Sequence, residues 1–380
     1  MKCQALATSH EWMHFITLRM IRSSIVLASI VSLGAFASPF RTPEEAHSAI
    51  MQAHLQKVQD AVKAGDILMA IQLLGEVLSD AETKGNNRFM GIAYAWRARL
   101  ESEQGESQKG SSDLQAAATA FVKAGLIDHA ISALREKSVL EEKRGELRNA
   151  ESTLSAACKL ASANDLQDEL TSLNCDLVRS RVLMGMKDAA KEALVDAETS
   201  KTTNEKLKAK LLMSRARYSG AFGEVEKALA AYNEAVPMLL RLKEVHEAAN
   251  AQFNAALLLG TDKRYDEASS QIDSAIINFI RSDSLSGVGM ALSLNAWHLI
   301  QQDRLDAAEP LLQKAAKALF ETKNVGRLAE NDERCAHYWM KRHDLLKAHD
   351  SAERAASIFE KMGATKRASD LRALFPSAYK

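Results

Sequence analysis

Small and bulky apolar residues alternate down this chain at helical spacing, and the pattern restarts at a fixed interval. Residues 147–162 show one cycle: Ala150, Leu154 and Ala157 stand at i, i+4 and i+7, on one face of a helix. The same small–large–small set returns as Ala70, Leu74 and Val77, as Ala190, Leu194 and Ala197, and as Ala228, Tyr232 and Ala235. It returns again as Ala268, Ile272 and Ala275, and as Ala308, Leu312 and Ala315. Five residues ahead of each cycle stands a turn position: Gly65, Gly105, Gly145, Gly185 and Gly223, then Lys263, Asp303 and His343. The steps are 40 residues, with a single step of 38. A residue free to take positive φ ends a helix. The pattern therefore predicts a first helix over 127–144, a break at Gly145-Glu146 and a second helix over 147–162, repeated eight times.

The first helices carry their own stripe. Seven residues before each turn position stand Val58, Ala98, Ser138, Val178, Ala216, Ala256, Ala296 and Ala336. Two helical turns earlier stand Met51, Gly91, Ile131, Thr171, Ala209, Ala249, Gly289 and Ala329. An i, i+7 relation puts both on one side, where an antiparallel partner presses in. A repeat of this length marks an all-α solenoid of stacked hairpins, each burying its neighbour's apolar face. Residues 364–375 predict a short terminal helix that shields the last hairpin. Pro237 lies inside a second helix and predicts a kink, and the 38-residue step predicts a tighter loop at residues 199–204.

These residues resemble the tetratricopeptide repeat: a small residue in the first helix, a Gly-Asp or Gly-Glu turn, then Ala–large–Ala in the second. Here the turn reads Gly65-Asp66 with Ala70 and Gly145-Glu146 with Ala150, and the sixth copy reads Tyr265-Asp266-Glu267-Ala268 behind Ala256. The resemblance covers about residues 44–363. The period is 40 rather than the family's usual 34, which is similar to the long repeats of kinesin light chains and peptide-pheromone receptors. The large aromatic expected early in the first helix is mostly missing. What the resemblance implies is a right-handed superhelix of about eight repeats over residues 38–363, with a cap over 364–380. Its concave face would be lined by first helices that bind protein or peptide.

The implied ligand-facing row lies six residues before the turn, and a second row lies one helical turn further up. Together they offer Arg99, Arg135, Arg179 and Arg217, then Phe253, Leu257, Trp297 and His337. Guanidinium forks recognise carboxylates, so the expected partner is a protein or peptide with acidic and apolar anchors. The alternative is that these arginines pair with Glu101, Glu103, Glu141 or Glu142.

Charge narrows the partner class. Lys and Arg number 49 and Asp and Glu number 49; residues beyond 37 hold 46 basic and 48 acidic groups. A nucleic-acid partner calls for a basic excess, and none is present. No G-x-S-x-G, H-E-x-x-H, P-loop or dinucleotide fingerprint occurs, so neither an enzyme nor a cofactor is indicated. The eighth repeat gathers Cys335, His337, His343 and His349, but their spacing is poor for zinc, and no metal site is expected. Cys158, Cys175 and Cys335 are scattered and read as buried thiols, with a Cys158–Cys175 pairing left open.

Residues 20–38 read MIRSSIVLASIVSLGAFAS: a basic residue, an apolar run and the small-residue triplet Ala35-Phe36-Ala37. That is the build of a secretory signal cleaved after Ala37, leaving Ser38 first, with Met20 as an alternative start. The location expected is periplasmic or secreted; an uncleaved anchor over 20–37 is the alternative. Three readings stand at this point: a non-catalytic binding scaffold, an enzyme or accessory acting on an envelope polymer, and a peptide-sensing regulator.

Overall fold

The computed structural model describes residues 43–200 and 202–376. The signal segment 1–37, Met20, Ser38, Cys3 and residues 377–380 lie outside the described residues. Among the described residues there are seventeen helices and no strand. In chain order they are α1 (Pro43–Lys63), α2 (Ile67–Thr83), α3 (Asn87–Glu103), α4 (Ser107–Lys123), α5 (Ile127–Lys143) and α6 (Leu147–Ala163). They continue as α7 (Gln167–Leu183), α8 (Lys187–Thr199), α9 (Glu205–Ala221), α10 (Val225–Arg241), α11 (Val245–Thr261) and α12 (Tyr265–Arg281). The last are α13 (Leu285–Gln301), α14 (Leu305–Glu321), α15 (Val325–Lys341), α16 (Leu345–Lys361) and α17 (Thr365–Leu374). The chain divides into two compact units, residues 1–141 and 142–380.

The period has a simpler origin than the sequence suggests. Every helix from α2 to α16 except α8 is 17 residues long. Three-residue turns join them, each with a left-handed residue at its centre: Gly65, Gly85, Gly105, Gly125 and Gly145, then Asp165 and Gly185. After α9 the series resumes with Gly223, Lys243, Lys263, Asp283, Asp303, Lys323, His343 and Gly363. The module is thus a helix plus a turn, and two make one repeat. The turn is closed by paired hydrogen bonds, such as Gly65 N–H to Val62 O at 3.0 Å and Asp66 N–H to Ala61 O at 2.9 Å. These satisfy carbonyls a helix end would otherwise leave bare. The next residue caps the following helix: Asp66, Asn86, Ser284, Asn324 and Asp344 each accept from a backbone N–H three residues on.

One expectation changes. The 38-residue step does not tighten a loop. It shortens α8 to 13 residues, and an extended segment around Ser200 leads into the Asn204 cap of α9. Asn204 accepts from both Lys206 N–H and Leu207 N–H, so α9 starts in register despite the missing turn. Pro237 lies inside α10 as expected, and the helix runs on to Arg241; α14 holds a second proline, Pro310. The predicted terminal helix is α17, and it seats Ala368 and Leu371, with Phe375 just beyond, in the last core.

Both stripes form the core. All eight small residues before the turn, Val58 to Ala336, are buried, as are the eight residues two turns earlier. The Ala–large–Ala sets of the second helices are buried with them. Burying a side chain such as Leu154 or Ile272 contributes about 1.5–3 kcal/mol. In the second unit, first helices of successive hairpins also lie directly against one another: α7 on α9, α11 on α13 and α13 on α15.

One of these contacts holds an ionisable group. A Cβ at Gly260 of α11 would stand 2.0 Å from His298 Nε2 on α13, so only glycine leaves room for that imidazole. His298 is 3% exposed, its ring lies 5.6 Å from Tyr265, and its Nδ1 has no hydrogen-bond partner among the described residues. Burial and then the nearby Arg334 charge push its pKa down to about 4. The unfolded chain therefore takes the proton first as pH falls. This stability is fully present above about 6.5 and is lost as pH falls toward 4. Equilibrium unfolding should show a loss of about 2 kcal/mol from this group between pH 7 and 5. Replacing His298 with Met should flatten that slope; an unchanged slope would mean that the imidazole is not held neutral.

Candidate functional site

Each first helix presents one residue beside its buried small residue, and that row was expected to meet a ligand. In the first unit, Arg99 is not free. It forms a two-pronged pair with Glu136 of α5, Nε to Oε2 at 3.0 Å and Nη2 to Oε1, and this hydrogen bonding raises the guanidinium pKa. Arg135 is half-buried on α5 and also engaged. Arg97, which was not singled out, holds the 8%-exposed Asp113 with Nη2 to Oδ1 at 2.8 Å.

In the second unit the charges are arranged differently. Arg179 of α7 is paired with Glu142, whose carboxyl pKa burial pushes up against the lowering effect of Arg179. Lys210 of α9 holds Asp176 of α7 at 2.8 Å. Arg217 of α9 lies in the field of Tyr232, Arg179 and Asp176, yet has no hydrogen-bond or ion-pair partner among the described residues. The local tally is three cations, Arg179, Lys210 and Arg217, against two carboxylates, Glu142 and Asp176. Burial is the largest influence on Arg217 and pulls its pKa down, the sign of a charge set among protein atoms without a counter-ion. The side chain is half-buried and keeps a path to solvent.

The register explains why Arg217 differs from its equivalents. Arg179 finds its carboxylate three residues before the preceding turn, at Glu142, and Arg99 finds one nine residues before the following turn, at Glu136. For Arg217 those two places are Val182 and Asn254. The repeat supplies the arginine and withholds both acids.

Further along the same helix series the row becomes apolar. Phe253 is 8% exposed and belongs to the interior, not to an open surface as the sequence row implied. Leu257 is 46% exposed on α11. Trp297 of α13 is half-buried and meets His337 of α15 edge to face, with centroids 5.2 Å apart. His337 in turn meets Phe375 at 5.0 Å, and the Phe375 carbonyl lies 2.9 Å from His349 Nδ1. Burial lowers the His337 pKa, so the imidazole is an aromatic packing element here. Phe375 closes this end of the row, a contact that spacing within the repeats did not show.

Sequence reasoning also missed Arg334 of α15. It is half-buried and donates from Nη1 to Ser293 Oγ at 2.7 Å, with no ion pair among the described residues. Its signal was legible: it stands nine residues before the turn, where earlier repeats carry the acids Glu136 and Asp176.

The other chemistry is quiet. Cys158, Cys175 and Cys335 form no disulfide among the described residues, and burial raises the pKa of Cys175 and pushes Cys335 up to about 12, far from a thiolate at neutral pH. No group of three metal-ligating side chains forms among the described residues, and His343 is the left-handed residue of a turn. A cleft of about 710 Å³ opens beside the shortened α8, lined among others by Cys158, Lys159, Asn174, Arg181 and Asp196. Arg181 is already tied there to Glu151 at 3.0 Å and to the Ala189 carbonyl at 2.9 Å. No described helix is long and apolar enough to cross a membrane.

No family model matches the chain, and no curated protein matches it. Solved structures do. A Rap protein complexed with competence and sporulation factor is 15% identical, with a TM-score of 0.55, over 86% of this chain and 97% of that one. Yeast Tom70 is 16% identical, with a TM-score of 0.52, over 90% of this chain and 66% of that one. The fold is tetratricopeptide-like. A third tetratricopeptide-like neighbour, the Rap conjugation gene regulator of the plasmid pLS20 in complex with a Phr peptide, is 13% identical with a TM-score of 0.51, covering 95% and 87%. At these identities the likeness concerns the fold.

The contrast between Arg179 and Arg217 is measurable without a ligand. Arg179→Gln leaves Glu142 largely buried and unpaired, and should lower stability by about 1–3 kcal/mol. Arg217→Gln removes a cation that has no counter-charge, and should leave stability unchanged or raise it by about 1 kcal/mol. Denaturant unfolding of both variants decides the matter: equal destabilisation would mean that Arg217 is satisfied within the fold.

Proposed function

We propose that this chain is a non-catalytic scaffold that binds a protein or peptide through the exposed face of its first helices, with Arg217 as a carboxylate anchor. The observation that carries the reading is the unpaired guanidinium of Arg217, beside an Arg179–Glu142 pair and a Lys210–Asp176 pair in which each acid already holds one cation. A desolvated cation of this kind gains most from a ligand carboxylate, which it grips with two parallel hydrogen bonds. Support of a coarser kind comes from the Rap structures, which hold a competence and sporulation factor in one case and a Phr peptide in the other. One of them is a gene regulator, which favours peptide sensing as the second reading. Action on an envelope polymer, alone or as an accessory, has no residue constellation in its favour.

The site of action we propose is the periplasm or the secreted space, on the strength of the apolar run that ends in Ala35-Phe36-Ala37. Intact-mass analysis of protein recovered from its host should give a chain beginning at Ser38. A chain still carrying residues 20–37 and found with membranes would favour the anchored form instead.

Binding itself is tested by panning a random peptide display library against the protein and against Arg217→Glu. Enriched sequences should contain Asp or Glu, and the reversed charge should abolish their capture. Enrichment without acidic residues, or equal capture by the variant, would remove Arg217 from the binding role.

A further inference from the structure

Arg334 repeats the situation of Arg217 three hairpins later. Around it, Arg327 holds Glu330 at 2.8 Å and Arg367 is paired with Glu333, so both nearby carboxylates are already taken. Three cations again face two acids, and Arg334 is left with a single neutral bond, to Ser293 Oγ. That hydroxyl is itself committed: it donates to Asn331 Oδ1 at 2.7 Å, and the fully buried Asn331 donates to the Leu312 carbonyl at 3.2 Å. The network fixes the guanidinium in place without neutralising it. Its Ser293 contact uses one N–H of Nη1 and leaves the rest of the fork without a described partner.

Between Arg217 on α9 and Arg334 on α15, which stands three residues before the row's own His337, the row offers exposed Leu257 on α11 and half-buried Trp297 on α13. The order along successive first helices is cation, apolar, apolar, cation. We infer that Arg334 is a second anion anchor, so that the face of α9, α11, α13 and α15 takes one extended peptide with two carboxylates and apolar side chains between them. The inference rests on the binding role proposed for Arg217. α11 packs on α13 and α13 on α15, about 8–10 Å per step, so with a step of at least that length from α9 to α11 the span is about 24–30 Å at its shortest. An extended chain rises about 3.3 Å per residue, which puts the two carboxylates about eight residues apart. The far acid is equally served by a side chain or by a peptide C-terminus, since both present the same group.

The probe is a fluorescein-labelled synthetic peptide with glutamates about eight residues apart, leucine and phenylalanine between them and serine elsewhere. Fluorescence anisotropy is read with the full chain, Arg217→Gln, Arg334→Gln and Ser293→Ala. Each arginine variant should weaken binding about tenfold. The loss at Arg334 should vanish when one of the two peptide glutamates is glutamine and persist when the other is, with the opposite assignment for Arg217. Ser293→Ala, which removes the hydrogen bond and keeps the charge, should stay within about twofold of the parent. A probe with its glutamates only about four residues apart should depend on one arginine alone. Unchanged affinity in Arg334→Gln, with Arg217→Gln still weakened, overturns the second anchor and leaves the first reading standing. Loss of the Arg217 dependence as well overturns both. Tighter binding of an oligothymidylate than of the peptide would make the two anchors a phosphate-backbone site and overturn the peptide assignment.

Discussion

Two helices can lie nearly backbone to backbone only where small side chains stand between them, and this fold depends on keeping that strip clear. The eight residues from Val58 to Ala336 mark the strip, and each is buried. A large side chain there would overfill a packed interior at a cost of about 1–3 kcal/mol. The next position along each helix carries no such demand and holds Gln59, Arg99, Val139, Arg179, Arg217, Leu257, Trp297 and His337. Packing thus separates what must recur from what is free to differ, and the two lie one residue apart.

Within the free row, the charge state of each arginine is decided by its neighbours in the stack. Arg99 and Arg179 are chemically the same as Arg217, but acids on neighbouring first helices occupy them. An ion pair between first helices ties hairpins together; an arginine without its acid is available to something else. The same rule separates Arg327 and Arg367, which are occupied, from Arg334. Both spare cations lie in the second unit, in a chain whose overall formal charge is zero.

Much of the architecture was readable because it is periodic. The Ala–large–Ala sets and the turn glycines located both helices of every hairpin, and α17 was legible from its own short apolar spacing. The half-period was hidden because Gly85, Gly125 and Gly363 have non-glycine equivalents elsewhere, such as Asp165 and Lys243. The shortened α8 was hidden because a two-residue deletion looks the same whether a helix or a loop absorbs it. The site was less legible. Residue type located Arg217, but its lack of a partner follows only once Val182 and Asn254 are known to stand where acids stand for its equivalents. Phe253 was misread because a face is not a boundary: the neighbouring helix covers one part of the row and leaves another open. Arg334 escaped because it occupies a position that the repeat had used for acids.

The turns carry a last consequence. In the first unit the left-handed turn residues are all glycine; in the second, seven are aspartate, lysine or histidine. A side chain in that conformation costs about 1–2 kcal/mol relative to an ordinary backbone. The second unit therefore keeps a reserve of stability that substitution could release, at sites on the hairpin tips and away from the helix faces. The tips and the faces can drift independently, so a lineage could retune what the stack recognises without rebuilding how it stands. The same separation gives an engineer two uncoupled dials.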